Sequence, residues 1–254
     1  MIILRSRAEI EKIRNACRIV SDILRALSER VQPGVTTWDL NALSEELAGK
    51  RRAKPAFLGY HGYPYALCAS VNEQVVHGMP SKQRRLKEGD IISLDFGVVV
   101  DGFYGDAAVT VPVGKITDEA ARLCAVTEQS LHEGIARAVV GNRLSDISHA
   151  IQEYVEVRGF SVVREFVGHG IGQHLHESPQ VPNYGPAGKG VRLKAGMVLA
   201  LEPMINIGGP DVEIMEDQWT AVTLDRKLSA HFEHTIAITD RGPEILTGPE
   251  TALQ

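Results

Sequence analysis

Apolar residues recur at helical spacing just after Ser6-Arg-Ala-Glu9: Ile10, Ile13, Cys17, Val20, Ile23, Leu24 and Leu27 fall on one stripe. Ser6 and Glu9 have the spacing of a capping box, so a long amphipathic helix opens there, and Pro33-Gly34 marks its end. A second helix is predicted from Thr36-Thr-Trp-Asp39, carried by Leu40, Leu43 and Leu47. The stretch from Gly59 to Pro64 reads as a loop and Ala66 to Val71 as a strand. The pattern then returns: a helix from Asp118 to Val140, Gly141, a shorter helix from Ser145 to Arg158, Gly159, and a strand from Ser161 to Val167. At a shift of 107 residues Cys17 meets Cys124, Gly34 meets Gly141, Asp39 meets Asp146 and Leu40 meets Ile147. Related helix-helix-strand halves, roughly 6–110 and 115–240, predict a pseudo-twofold α/β (α+β) fold with a cleft where the halves meet.

Three apolar, strand-like runs each carry an acid: Asp95 in Ile91 to Val100, Glu202 after Met197 to Leu201, and Glu233 in His231 to Ile238. None of these runs contains a lysine or arginine, and a buried carboxylate needs a cation. Asp101-Gly102 is a two-residue hairpin signal. Pairing Val100 with Phe103 places Asp106 opposite Gly97 and Asp95 opposite Ala108, so both aspartates face the same way unless a bulge intervenes. Two such carboxylates repel unless cations neutralise them, which a two-metal site does. The plainer alternative is a set of separate acids, each satisfied by its own partner.

Length and composition bound the rest. At 254 residues and 44% hydrophobic the chain can bury a large core, and no low-complexity linker divides it, so residues 1–254 are expected to form one domain. A net charge of −5 and a pI near 6.0 oppose a dedicated nucleic-acid or anionic-membrane surface. The basic stretches Lys50 to Lys54 and Lys82 to Lys87 read as solvated. No signal peptide or membrane span is evident, and Cys17, Cys68 and Cys124 lack CxxC spacing; both point to a reducing, cytoplasmic setting. Cys17 and Cys124 are expected in helix cores.

Val167 to Glu177 packs three histidines, His169, His174 and His176, among three glycines. His174 and His176 could form a zinc site of their own, which would leave the distant acids unexplained; one histidine as a ligand and another facing substrate accounts for both. His77, after an apolar run and before Gly78, is placed at a strand-to-loop mouth.

Together with Gly59-Tyr-His-Gly-Tyr-Pro64, Asn72-Glu73, His77-Gly-Met-Pro80, Gly168-His-Gly-Ile-Gly172, Glu202-Pro-Met204 and Phe232-Glu-His-Thr235, these residues resemble the bacterial type I methionine aminopeptidases of peptidase family M24, over almost the whole chain. The resemblance implies a pita-bread fold with a central antiparallel sheet. It also implies two divalent ions (Co²⁺, Mn²⁺, Fe²⁺ or Zn²⁺), with Asp106 and Glu233 bridging, Asp95 on one and His169 with Glu202 on the other. An activated water would then attack the peptide bond after an N-terminal methionine whose neighbour is small. By the same resemblance Glu202 shuttles the proton, His176 and His77 bind the scissile group, and Tyr60, Tyr63, Cys68, Leu175 and Trp219 form the methionine pocket. Leu175 and Phe57 depart from the family's usual residues at their positions, which puts pocket shape in question. The implied partners are N-termini of nascent polypeptides, with transient ribosome association, in a monomer that forms no stable nucleic-acid complex. The five-ligand pattern is shared with Xaa-Pro aminopeptidases and prolidases, which usually carry a further N-terminal domain; a pita-bread module retained only to bind ribosome, RNA or histone partners is the remaining alternative.

Overall fold

The computed structural model describes residues 2–248; Met1 and residues 249–254, the ends of the predicted 1–254 span, lie outside the described residues. Helix α1 (Arg7–Arg30) starts where Ser6 accepts from Glu9 N and Glu9 returns the bond to Ser6 N. Helix α2 (Thr37–Lys50) is capped in the same way by Thr36 and Asp39. Strands β1 (Lys54–Pro55), β2 (Cys68–Val71) and β3 (Gln74–Val76) lead to the hairpin of β4 (Ile91–Val100) and β5 (Phe103–Pro112). Helices α3 (Asp118–Arg137) and α4 (Leu144–Glu156) follow. The remaining strands are β6 (Ser161–Val162), β7 (Gly168–Gly170), β8 (Glu177–Val181), β9 (Val198–Leu201), β10 (Met204–Asn206), β11 (Val212–Ile214), β12 (Ala221–Thr223), β13 (Ser229–His231), β14 (Glu233–Thr239) and β15 (Gly242–Ile245).

Nine strands make one antiparallel sheet in the order β1-β4-β5-β14-β9-β7-β8, with β2 added to β4 and β15 to β14. The helices cover it in pairs, α1 and α2 over the strands of the N-terminal half, α3 and α4 over those of the C-terminal half. Close seating of α1 depends on Gly105 of β5, where a Cβ would lie 2.6 Å from Cys17 N in the helix backbone.

The turn Asp101-Gly102 has φ of 49° and 76°, the left-handed pair a two-residue hairpin requires, and the register is unbulged: Val100 faces Phe103, Gly97 faces Asp106, Asp95 faces Ala108.

The 107-residue shift reappears in backbone contacts. Gly34 N bonds Leu86 O while Gly141 N bonds Leu193 O, and the isolated bridges are Thr36 to Arg85 and Arg143 to Arg192. The same shift carries Asp95, in β4, onto Glu202, directly after β9.

Four expectations need correction. Helix α3 ends at Arg137 rather than Val140, because Ala138 N turns back to Ile135 O, and α4 stops at Glu156 rather than Arg158. Of the strand expected from Ser161 to Val167, only Ser161–Val162 pairs; the chain bends at Arg164 and Glu165 before β7. The run from His231 to Ile238 is two strands, since Phe232 N bonds Pro203 O and the chain passes there from the β13-β10-β6 sheet to the large one. Cys17 is buried as expected, and Cys124 is partly buried against the core of the C-terminal half.

Candidate active site

Ladder pairing alone collects the charged residues on one sheet face. Directly opposed residues in an antiparallel ladder share a face, as do residues two apart on one strand. One rung runs Cys68, Asp95, Ala108, Glu233 across β2, β4, β5 and β14. The next runs His169, Ala200, Thr235 across β7, β9 and β14. Asp106 lies two residues from Ala108, Glu202 two from Ala200, and Glu233 two from Thr235, so the four acids and one imidazole converge. Thr235 Oγ1 locks the rows together by donating to Asp106 O at 2.8 Å.

They line a cavity of about 220 Å³, whose walls also include Phe57, Tyr60, His61, Tyr63, Cys68, His77, Leu175, His176 and Trp219. Every residue given a role in the sequence is therefore brought to one place. His174 is exposed and outside this lining, so a His174–His176 zinc pair has no structural basis.

Burial without cations dominates the electrostatics. Asp106 and Glu233 are 4% and 3% exposed, and Asp95 Oδ1, Asp106 Oδ1 and Glu233 Oε1 are buried with no hydrogen-bond partner. Among the described residues none of these acids is ion-paired with lysine or arginine; Glu202 instead faces His169 Nε2 at 3.6 Å and His231 Nε2 at 3.9 Å. Desolvation pushes Asp95 up to about 7. Desolvation and then mutual repulsion hold Asp106, Glu202 and Glu233 well above the ordinary carboxylate range. His169 is driven down to about 3 by burial, hence neutral, and its Nδ1–H donates to Gly170 O at 2.8 Å. That tautomer leaves the Nε2 lone pair free as a ligand.

Orphaned oxygens, a neutral imidazole and uncompensated negative charge fit divalent cations. One ligand atom each from Asp106, His169 and Glu233 lies within 4.8 Å of the others, which brackets a single ion. Asp95 and Glu202 line the same cavity.

Above this floor Tyr60 Oη is 2.7 Å from His176 Nδ1, and the rings of Tyr63 and Trp219 meet edge-on at 5.1 Å. His77, in the left-handed region (φ 59°) directly after β3, stands edge-on to Phe166 and Trp219. Burial, then His176, lowers it to about 4.

Two residues here escaped the sequence. His61, also left-handed (φ 49°), packs on Tyr60 at the mouth, 4.3 Å between ring centroids, and its charge helps lower His176 after desolvation. His231 is 1% exposed with both ring nitrogens unpartnered, beside Glu202. Three histidines within one glycine-rich segment drew attention there; these two had no comparable spacing.

The model of metallopeptidase family M24 matches residues 11–240. The chain belongs to family M24. Among M24 relatives, the methionine aminopeptidase of Clostridium acetobutylicum is 53% identical over 247 residues, covering 97% of this chain and 99% of that one. The crystal structure of methionine aminopeptidase from Thermotoga maritima superposes with a TM-score of 0.97 at 51% identity, covering 98% and 100% of the two chains. The prolidase of Pyrococcus horikoshii shares the fold alone, at 23% identity and a TM-score of 0.80, and this chain spans 65% of its length. The curled antiparallel sheet is thus the pita-bread fold of M24, and the M24 chain uses divalent metal.

Proposed function

We propose that this M24 chain is a metal-dependent aminopeptidase that hydrolyses the bond after an N-terminal methionine, with two ions of Mn²⁺, Fe²⁺, Co²⁺ or Zn²⁺ as cofactor. The observation that carries this reading is the four-carboxylate, one-imidazole floor, with no lysine or arginine paired to it among the described residues, beneath an apolar wall. Asp106 and Glu233 would sit between the ions, Asp95 on one side and His169 with Glu202 on the other. Bound there, the ions supply an activated water and an electrophile for the scissile carbonyl.

The protein's own groups supply the rest. The acidic floor favours a free α-amine, which an internal peptide bond does not offer, so attack is restricted to the chain end. Glu202 accepts the proton given up by the attacking water at its carboxylate oxygen and delivers it to the departing amine. His176, fixed through Nδ1 by Tyr60, presents Nε2 to the carbonyl oxygen. Neutral His77 lies toward the leaving amide. Tyr60, Tyr63, Cys68, Leu175 and Trp219 form an apolar slot for a flexible thioether, with the Cys68 thiol kept protonated by its burial. Phe57 and Leu175 both line the cavity, so the departures noted in the sequence face the methionine side chain.

Residues 1–254 act as one catalytic unit whose two halves each give ligands. The substrates are N-termini of nascent polypeptides with a small second residue, met in the cytoplasm during transient ribosome association by a monomer. No stable nucleic-acid complex or membrane is involved, and no helix of the described residues is long and apolar enough to cross a bilayer. The test is cleavage of Met-Ala-Ser, Met-Leu-Ser and Ala-Pro-Ser by protein titrated with Mn²⁺ or Co²⁺. Release of methionine from the first peptide alone is expected; cleavage of none, or of Ala-Pro-Ser first, would overturn the reading.

A further inference from the structure

We propose that Arg5 is a positioning residue for His176, acting through Glu177; the proposal rests on the aminopeptidase reading above. Residues 173–176 lie between β7 and β8, outside either strand, yet they carry a group that faces the substrate. Glu177 ties this segment down. Its Oε1 accepts from Gln173 N at 2.8 Å and His174 N at 3.0 Å, closing the turn on itself. The turn is then anchored from the far end of the chain, because Arg5 Nη2 reaches Glu177 Oε1 at 2.6 Å and Oε2 at 2.5 Å.

Arg5 is itself held. Its side chain is 2% exposed, its backbone N donates to Gly196 O at 2.7 Å, and Ser6 beside it caps α1. A Cβ at Gly172 would overlap the Arg5 guanidinium, so the base of the turn rests directly on that group. His176 is consequently braced twice, at its ring by Tyr60 and at the next residue by the Arg5–Glu177 pair. Without the pair Glu177 would be a nearly buried carboxylate lacking its cation, and the segment would relax toward solvent. Small misplacement of a group that meets the transition state lowers turnover far more than it lowers folding.

The experiment compares Arg5→Ala, Arg5→Lys and Glu177→Gln in the full Mn²⁺-loaded protein, alone and combined with His176→Ala, using Met-Ala-Ser hydrolysis and amide hydrogen exchange. Arg5→Ala should lower kcat about 10- to 100-fold. In the His176→Ala background it should change kcat by no more than about twofold, since a group already removed cannot be misplaced. Arg5→Lys should recover part of the loss, Glu177→Gln should reproduce it, and the Gln173 and His174 amides should exchange faster. Parental kcat, an equal loss with and without His176, or unchanged protection of both amides would each overturn the proposal. Should Arg5→Ala not fold, Arg5→Lys and Glu177→Gln carry the same comparison. Failure of the parent to release methionine would count against the aminopeptidase reading, and the exchange data would still judge the clamp.

Discussion

Replacing Glu233 by glutamine should raise the stability of the metal-free protein while abolishing its turnover. The ligand atoms of Asp106 and Glu233 are within 4.8 Å of each other, and at an effective dielectric of about 20 two negative charges at that distance repel by about 3.5 kcal/mol. Glu233 is 3% exposed and its Oε1 has no hydrogen-bond partner, so little solvent screens the repulsion and glutamine forfeits no existing bond at that atom. The parent evades part of the repulsion by retaining a proton, so the expected gain is about 1–3 kcal/mol near pH 8. For a chain of this size that is roughly 2–10 °C in Tm. Both carboxyls titrate above their unfolded values, so their contribution is complete below the unfolded pKa near 4 and is lost as pH rises through the folded values. The advantage of glutamine should therefore be absent near pH 4 and grow toward pH 8. Calorimetry of chelator-treated protein at both pH values, with and without added Mn²⁺, reads this directly: Mn²⁺ should raise the parent's Tm and leave the variant's nearly unchanged. A variant that melts below the parent at pH 8 without metal, or gains as much from Mn²⁺, would refute the charge-convergence account.

Glu202→Gln should leave the thermal midpoint within a few degrees of the parent and collapse kcat by about 10²-fold or more, measured on Met-Ala-Ser; near-parental turnover would remove its proton-transfer role. His77 is depressed to about 4, so its contribution to stability is present above pH 6.5 and disappears as pH falls through about 4. His77→Ala should accordingly flatten the fall in Tm between those limits and lower kcat without moving the acid limb of the rate profile; a displaced acid limb would show that His77 titrates in the working range. Gly105→Ala should destabilise by about 3 kcal/mol in urea titrations, because its new methyl meets the α1 backbone at Cys17 and Ala16 rather than a movable side chain.

How much of this could be read from the sequence follows from how local each cause is. Asp101-Gly102 sits in the turn whose register it sets, so the face shared by Asp95 and Asp106 could be counted before any coordinates existed. The capping boxes at Ser6 and Thr36 are equally local. The break at Phe232 was hidden because its partner is Pro203, and apolar continuity from His231 to Ile238 resembles one strand whichever sheet each end joins. Arg5 and Glu177, 172 positions apart, carry no spacing that links them, and His231 matters only because the fold sets it beside Glu202. The cavity's chemistry was legible where a charge stood in an apolar run, and illegible where its meaning came from a distant neighbour.

Because β14 lies between β5 and β9 in the sheet, the strand bearing Glu233 is inserted between partners made long before it. During synthesis the hairpin holding Asp95 and Asp106 emerges first, and the strand that brings Glu233 to it emerges more than a hundred residues later. A growing chain halted before residue 233 can shape helices and hairpin but lacks Glu233 and the strand that carries it, so the acidic floor is assembled only once β14 has been made.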